Sequence, residues 1–506
     1  MPLICSQTLN IIRCTVSRRV LNANQCAGRV AIAALVLTML LVSNCFALEQ
    51  LPSPITKILN VYQIPASAVS IVVQDVDSEV PLVSVNNDIA RNPASTIKLL
   101  TTFVALATLG PTYTWRTELY ALGPINDGVL DGDLLLKGYG DPSLVVEEFW
   151  KMLGDLNAHG VSSITGDLVI DDTHFSVPAI DPGAFDQQPY RLHNVIPNAA
   201  MANFKAIEFQ FARSGNGKKV RITTHPELPN LKIVNKLTIR KGKCRGYQYG
   251  INMHIADSGS NNNVVFSGAF PSGCRRHSMH RSVLNHDSYT FGTFLRLWKH
   301  WGGSMSGTFR KGIAPESVKP IVVKRSRPLA EIIRSVNKWS NNVMTRLLLY
   351  SLATTKYDAP TTKEQGIEVL REYLRENNID DSKLFVDNGA GLSRDTRITA
   401  KLLNDLLRHA HRNPYMAEYV ASLSIVGMDG TTRKRFRRQP QAGRMHLKTG
   451  RLDGVSAIAG FIQARDDKTY TTSLLVNHKI AHRGPGNEIQ NALLKWVHDR
   501  PTAPSN

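Results

Sequence analysis

Ser95 and Lys98 stand three positions apart in the stretch RNPASTIKLLTTFVALATLG, residues 91–110. The apolar positions Ile97, Leu100, Phe103, Val104 and Ala107 recur at three and four residues, which predicts a helix with one buried face, stopped by Gly110. Both polar residues then fall in its first turn, where backbone N–H groups are unpaired and the helix dipole favours negative charge. Side chains at i and i+3 lie about 5–6 Å apart at Cβ. A hydroxyl so placed can become an alkoxide, and a lysine beside it can take the proton if burial or a neighbouring cation keeps it neutral. Ser is also a common N-cap and Lys a common first-turn residue, and Ser335 and Lys338 repeat the spacing. The pair alone decides nothing.

Two further runs narrow the reading. Ser340-Asn-Asn342 falls where one amphipathic helix ends and another begins, and Lys448-Thr-Gly450 sits on a predicted strand. The pattern S-x-N is nearly uninformative by itself, since it recurs at 84–86, 214–216, 260–262 and 335–337, but K-T-G occurs once. Helix-start S-x-x-K, helix-junction S-x-N and late-strand K-T-G, in that order, form the signature of a serine nucleophile served by lysine.

With these motifs the sequence resembles the active-site serine penicillin-recognising enzymes, and more closely the low-molecular-mass class C penicillin-binding proteins, the D-alanyl-D-alanine carboxypeptidase/endopeptidases. GDPSL at 140–144, GDLVIDDTHF at 166–175, NGAGLSR at 388–394, MDGTTRKRF at 428–436 and AGFI after K-T-G extend the likeness over essentially the whole chain beyond residue 47. The resemblance implies an α+β, serine DD-peptidase/β-lactamase-like fold: an antiparallel sheet flanked by helices, a helical subdomain and a large β-rich insertion. It implies Ser95 as nucleophile, Lys98 as its base, Ser340 as proton carrier to the leaving amine, and Lys448 as the cation that depresses Lys98. Asn342 would hold the peptide backbone and Lys98, while Lys448 and Thr449 would take the terminal carboxylate. The N–H groups of Ser95 and Arg451 would form the oxyanion hole, one donor of which contributes roughly 3–4 kcal/mol. Gly450 would leave the strand bare for the substrate backbone. The implied substrates are peptidoglycan stem peptides or cross-bridges, with β-lactam antibiotics as covalent inhibitors and with no cofactor or metal. The alternatives are a β-lactamase, which has no use for the insertion, and a wall-binding scaffold with a degenerate site. Four positions depart from the family pattern: Asn388 and Ala390 replace polar residues of the D-G-S-G-L-S-R loop, Arg346 stands where an acid is usual, and Arg451 replaces Thr or Ser.

The chain has 506 residues, enough for two or three domains, with 42% hydrophobic and 20% charged residues, as in a folded globular protein. Its formal charge of +19 suits anionic wall polymer or lipid headgroups, and no helix-turn-helix or zinc-finger pattern points to nucleic acid. Peripheral membrane contact and homodimerisation stay open. Residues 1–47 carry four arginines, no acid and the apolar run Val30 to Val42, which reads as a secretory signal peptide cut after Ala47 and leading to the periplasm, with an uncleaved anchor as the rival reading. Catalytic segments are expected at 48–111 and 285–498, separated by a β-rich module at 112–284 without a long amphipathic helix, and followed by a tail at 499–506. Cys244 and Cys274 are the pair left beyond the leader and predict a disulfide. A zinc site with His277 and His280 is the rival. The run RKRFRR at 433–438 reads as a solvated loop or as an attractor of anionic polymer.

Overall fold

The structure, a computed structural model, describes residues 50–501 except 216, 218, 246–249 and 257–261. The leader expected at 1–47 lies outside them, as does the tail beyond 501. Both ends of the described chain meet in one six-stranded antiparallel sheet, as the alternating runs near each end predict. Its order is Ser424–Ile425, Met445–Leu452, Val455–Gln463, Thr469–Asn477, Val69–Asp75, Val83–Val85. The register sets Val69 against Val476 and Lys448 against Ala459.

Alternation gives the sheet two apolar faces. Ile71, Val73, Ile458 and Leu474 pack against helices Ser53–Tyr62 and Pro485–His498. Val72, Ala457, Ala459 and Leu475 face a larger helical layer. That layer includes helices Lys98–Leu109, Leu329–Trp339, Asn342–Ala353, Lys363–Glu376 and Ala400–Arg412. Thr362 opens one of these with a capping box and Thr399 caps another, which fixes where each helix begins. Leu99, Leu100, Phe103 and Leu406 are fully buried here, and each such side chain contributes roughly 1.5–3 kcal/mol relative to exposure.

The runs TELYALG, GDLLLKG, GDLVIDD and KAIEFQFARSGNG become strands Arg116–Leu122, Asp133–Gly138, Leu168–Asp171 and Ile207–Arg213 of the inserted module. Its extent differs from expectation. Strands Phe309–Lys311 and Val322–Arg325 complete a five-stranded sheet with Arg116–Leu122, and one core runs from Leu119 to Val322 and includes helix His286–His300. The module therefore continues past 284 to about Arg325. A 13-residue helix, Val146–Ala158, also lies inside it, contrary to the expected lack of one. Its buried Phe149, Met152, Leu153 and Leu156 do keep helical spacing. No side chain caps its start, so the usual N-terminal signal is missing from the sequence.

Cys244 and Cys274 form a disulfide across 30 positions. The zinc alternative loses its ligands: both sulfurs are bonded to each other, and His277 and His280, three apart on strand Arg276–Arg281, fall on opposite faces. Among the described residues, His277 alone joins the two cysteines in a cluster. Replacing both cysteines by serine should cost roughly 3–4 kcal/mol by loop-closure entropy. Calorimetry of the double variant should show the module melting earlier than in the wild type.

Candidate active site

Asn92 and Pro93 shape the turn that carries Ser95. The Asn92 side chain accepts from Ala94 N at 2.8 Å and donates to Ser393 O at 2.9 Å, while its backbone N–H donates to Asn477 Oδ1 at 2.8 Å. Ala94 is thereby held at φ 45°, in the left-handed region. A single 3₁₀ turn, Ala94–Ile97, then precedes the helix, which begins at Lys98. Ser95 and Lys98 thus straddle a 3₁₀-to-α junction instead of sharing an α-helical first turn.

Lys98 is 0% exposed. Its Nζ lies 3.1 Å from Ser95 Oγ and 2.7 Å from Asn342 Oδ1, and it also bonds Ala390 O. Burial holds its pKa well below the ordinary lysine range, reinforced by the charges of Lys448 and then Arg346. Sequence reasoning named Lys448 as the depressing cation; desolvation is the larger cause. A neutral lysine amine has two hydrogens and one lone pair. Asn342 Oδ1 and Ala390 O can only accept, so they take both hydrogens, and the lone pair is left to accept from the Ser95 hydroxyl.

Ser340 sits at φ 57° between helices Leu329–Trp339 and Asn342–Ala353, an unusual conformation for serine. Asn341 caps the second helix. Lys448 Nζ donates to Ser340 Oγ at 3.0 Å and to Thr449 O at 2.8 Å. Lys448 is fully buried, and burial pushes its pKa down to about 7.

The strand Met445–Leu452 has one paired edge and one partly open edge. Gln463 N donates to Arg444 O on one side, and Val426 N to Met445 O on the other. Backbone groups of odd-numbered residues therefore point to the second edge. There the partner strand covers only His446 and Leu447, so the N–H of Arg451 faces the open edge beside Ser95. A Cβ on Gly450 would lie 2.4 Å from Pro93 O and 3.0 Å from Ser95 N. Its missing side chain thus admits the Ser95 turn itself, a tighter demand than the passage of a substrate backbone expected from sequence. Gly391, at φ 78°, makes an equally close approach to Ala94 O.

Three contributors were not evident as site residues in the sequence. Arg346 Nη1 donates to Val195 O at 3.1 Å and Asn342 Nδ2 to His193 O at 3.4 Å, so one helix anchors the inserted module to the site. Thr431 Oγ1 lies 2.8 Å from Thr449 Oγ1. Asn92 is the third. The second S-x-x-K is also explained: Lys338 is buried and bonds Asp429 Oδ2 at 2.5 Å, away from any nucleophile. Beside the Ala390 loop lies a cavity of about 350 Å³ lined by Arg346, Asp387, Asn388, Arg394, Asp181 and Phe185, with the Arg394 guanidinium 4.9 Å over the Phe185 ring.

The profile of the Peptidase_S13 family, described as the D-Ala-D-Ala carboxypeptidase 3 (S13) family, matches residues 52–499. The chain belongs to this family of peptidases. It is 26% identical over 501 residues to the D-alanyl-D-alanine carboxypeptidase of Actinomadura sp., covering 93% of this chain and 90% of that protein. It is 24% identical over 407 residues to D-alanyl-D-alanine carboxypeptidase DacB of Haemophilus influenzae, covering 79% and 84%. The crystal structure of penicillin binding protein 4 (dacB) from H. influenzae superposes with a TM-score of 0.75 at 21% identity, over 88% of this chain and 99% of that one. The expected α+β serine DD-peptidase fold is the observed one.

Two outcomes follow from the geometry. Gly450→Ala should slow acylation by penicillin about 100-fold, because a shift near 1 Å at the nucleophile costs that much; stopped-flow labelling checks it. Above pH 7 Lys448 loses its charge, so KM for a peptide ending in a carboxylate should climb as pH rises through about 7. A KM that is flat from about pH 6 to 9 would contradict this.

Proposed function

We propose that this peptidase cleaves the D-Ala-D-Ala ends of peptidoglycan stem peptides, and D-Ala cross-bridges, through an acyl-enzyme on Ser95. The reading rests on the proton inventory at Lys98: with both amine hydrogens committed to carbonyl oxygens, its lone pair meets the one hydroxyl beside it. Ser95 Oγ attacks the amide carbon as its proton passes to Lys98. The carbonyl oxygen becomes an oxyanion held by the N–H groups of Ser95 and Arg451. The C–N bond breaks as Ser340 gives its proton to the leaving amine and regains one from Lys448, 3.0 Å away. Lys448, Ser340 and Thr449 hold the carboxylate of the leaving residue, and Asn342 the backbone on the acyl side. Once Lys98 has returned the proton it took from Ser95 to the now neutral Lys448, water attacks the ester carbon and gives its proton to Lys98, which passes it to Ser95 Oγ as the ester C–O bond breaks. The cavity beside Ala390, lined by apolar as well as charged side chains, is the place for the side chain of the acyl half. β-Lactams acylate the same serine, and with no leaving amine free to depart they stay bound. Neither the degenerate-scaffold reading nor the β-lactamase reading gains support from an intact base and a module pinned to the site by Arg346.

The periplasm is the proposed compartment, reached through the leader at 1–47. Peripheral contact with the membrane would be electrostatic, given the formal charge of +15 that remains when the leader's four arginines are taken from +19 (19 − 4). Among the described residues no helix is long and apolar enough to cross a membrane. Fluorescent penicillin should label residues 48–506 covalently and fail to label the Ser95→Ala variant. Label that persists on the variant would place the nucleophile elsewhere.

A further inference from the structure

Near Thr449, among the described residues, exposed cations stand without an ion pair. Their loop is anchored firmly. Asp429 is held by buried Lys338 and by Ile425 N at 2.7 Å, and Thr431 reaches Thr449. Arg435 Nη2 donates to Asn487 Oδ1 at 2.9 Å and to Gln490 Oε1 at 2.7 Å on the last helix. Between these anchors Arg433 and Lys434 are exposed, and Arg437 and Arg438 follow, also exposed. None of the four is ion-paired among the described residues. Arg451 is likewise exposed and unpaired, two residues beyond Thr449 and on the same face of the strand. Arg433 Cα lies within about 7 Å of Thr431 Cα by chain length alone, so its long side chain reaches whatever extends past Thr449.

A carboxypeptidase substrate offers these cations little. Its leaving group is a single D-alanine, whose one carboxylate is taken by Lys448 and Thr449. A cross-bridge has a larger leaving group: a diamino acid inside a second stem peptide, which carries further carboxylates. We propose that Arg433, Lys434 and Arg451 form the subsite for that second, anionic stem peptide, and that the site is built for cross-bridge hydrolysis. This rests on the peptidase reading above. Fixing Arg435 through neutral amides leaves the loop rigid without neutralising it, so the neighbouring charges remain free for a polyanion.

The test compares the mature chain with an Arg433→Gln/Lys434→Gln variant on two substrates, a purified cross-linked muropeptide dimer and a short peptide ending in D-Ala-D-Ala. The variant's KM for the dimer should rise about tenfold, the scale of two partly exposed charge contacts. Added salt should raise the wild-type KM for the dimer more than the variant's. Hydrolysis of the short peptide and penicillin labelling should be unchanged. Equal losses on both substrates would mean that the loop only supports Thr431, and would overturn the proposal. Weaker binding of the variant to phosphatidylglycerol vesicles with unchanged dimer hydrolysis would assign the cations to lipid and overturn it too. A wild-type chain that takes no penicillin label would overturn the peptidase reading itself. Normal labelling with dimer hydrolysis insensitive to the variant would overturn this inference alone.

Discussion

A fully buried lysine amine with no carboxylate partner among the described residues is the constraint around which the site is arranged. Burying a charged ammonium would cost several kcal/mol, so Lys98 is kept neutral, and only a neutral amine can serve Ser95. The surroundings sustain that state. Lys448 and Arg346 add like charge, the carbonyl oxygens of Asn342 and Ala390 absorb the two hydrogens, and the packed helical layer excludes solvent. An acid placed to neutralise Lys98 would stabilise the fold and raise the pKa of the base.

Close backbone contacts meet around Ser95. Gly450 and Gly391 let a strand and a loop press against the Ser95 turn, and Asn92 ties that turn to both the 388–394 loop and the last strand. The positive φ of Ala94 and Ser340 marks where this crowding is absorbed. Strained backbone of this kind costs about 1–3 kcal/mol per residue and persists only where neighbours over-determine it.

Much of this was legible in the sequence because the chemistry demands particular residue types. The three motifs, the closing hairpin, the Thr362 and Thr399 helix starts and the cysteine pair each carry a local signal. What was hidden depends on long-range contact. Arg346 reads as a departure from the family pattern until it is seen bonding Val195 O and raising the potential at Lys98. Thr431 is one hydroxyl in a polar run until it meets Thr449. The edge of the module was misplaced because strands at 309–325 complete a sheet begun near 116, and a pairing across some two hundred residues leaves no local trace. The helix at 146–158 was overlooked for another reason: periodicity was present but no cap announced it.

The sheet joins Val69–Asp75 to Thr469–Asn477, and the backbone amide of Asn92 bonds the side chain of Asn477. Chains are made from the N-terminus, so Ser95 exists long before the strand that braces its turn. The six-stranded sheet cannot close until nearly the last residue is available, and pairings at such separation form slowly. Assembly of the nucleophile therefore acts as a completion check: a chain cut short before residue 469 holds Ser95, Lys98, Ser340 and Lys448 yet lacks the brace that makes them a site. An N-terminal fragment that ends before residue 469 therefore lacks both the strand paired with Val69–Asp75 and the Asn477 side chain that holds the Ser95 turn.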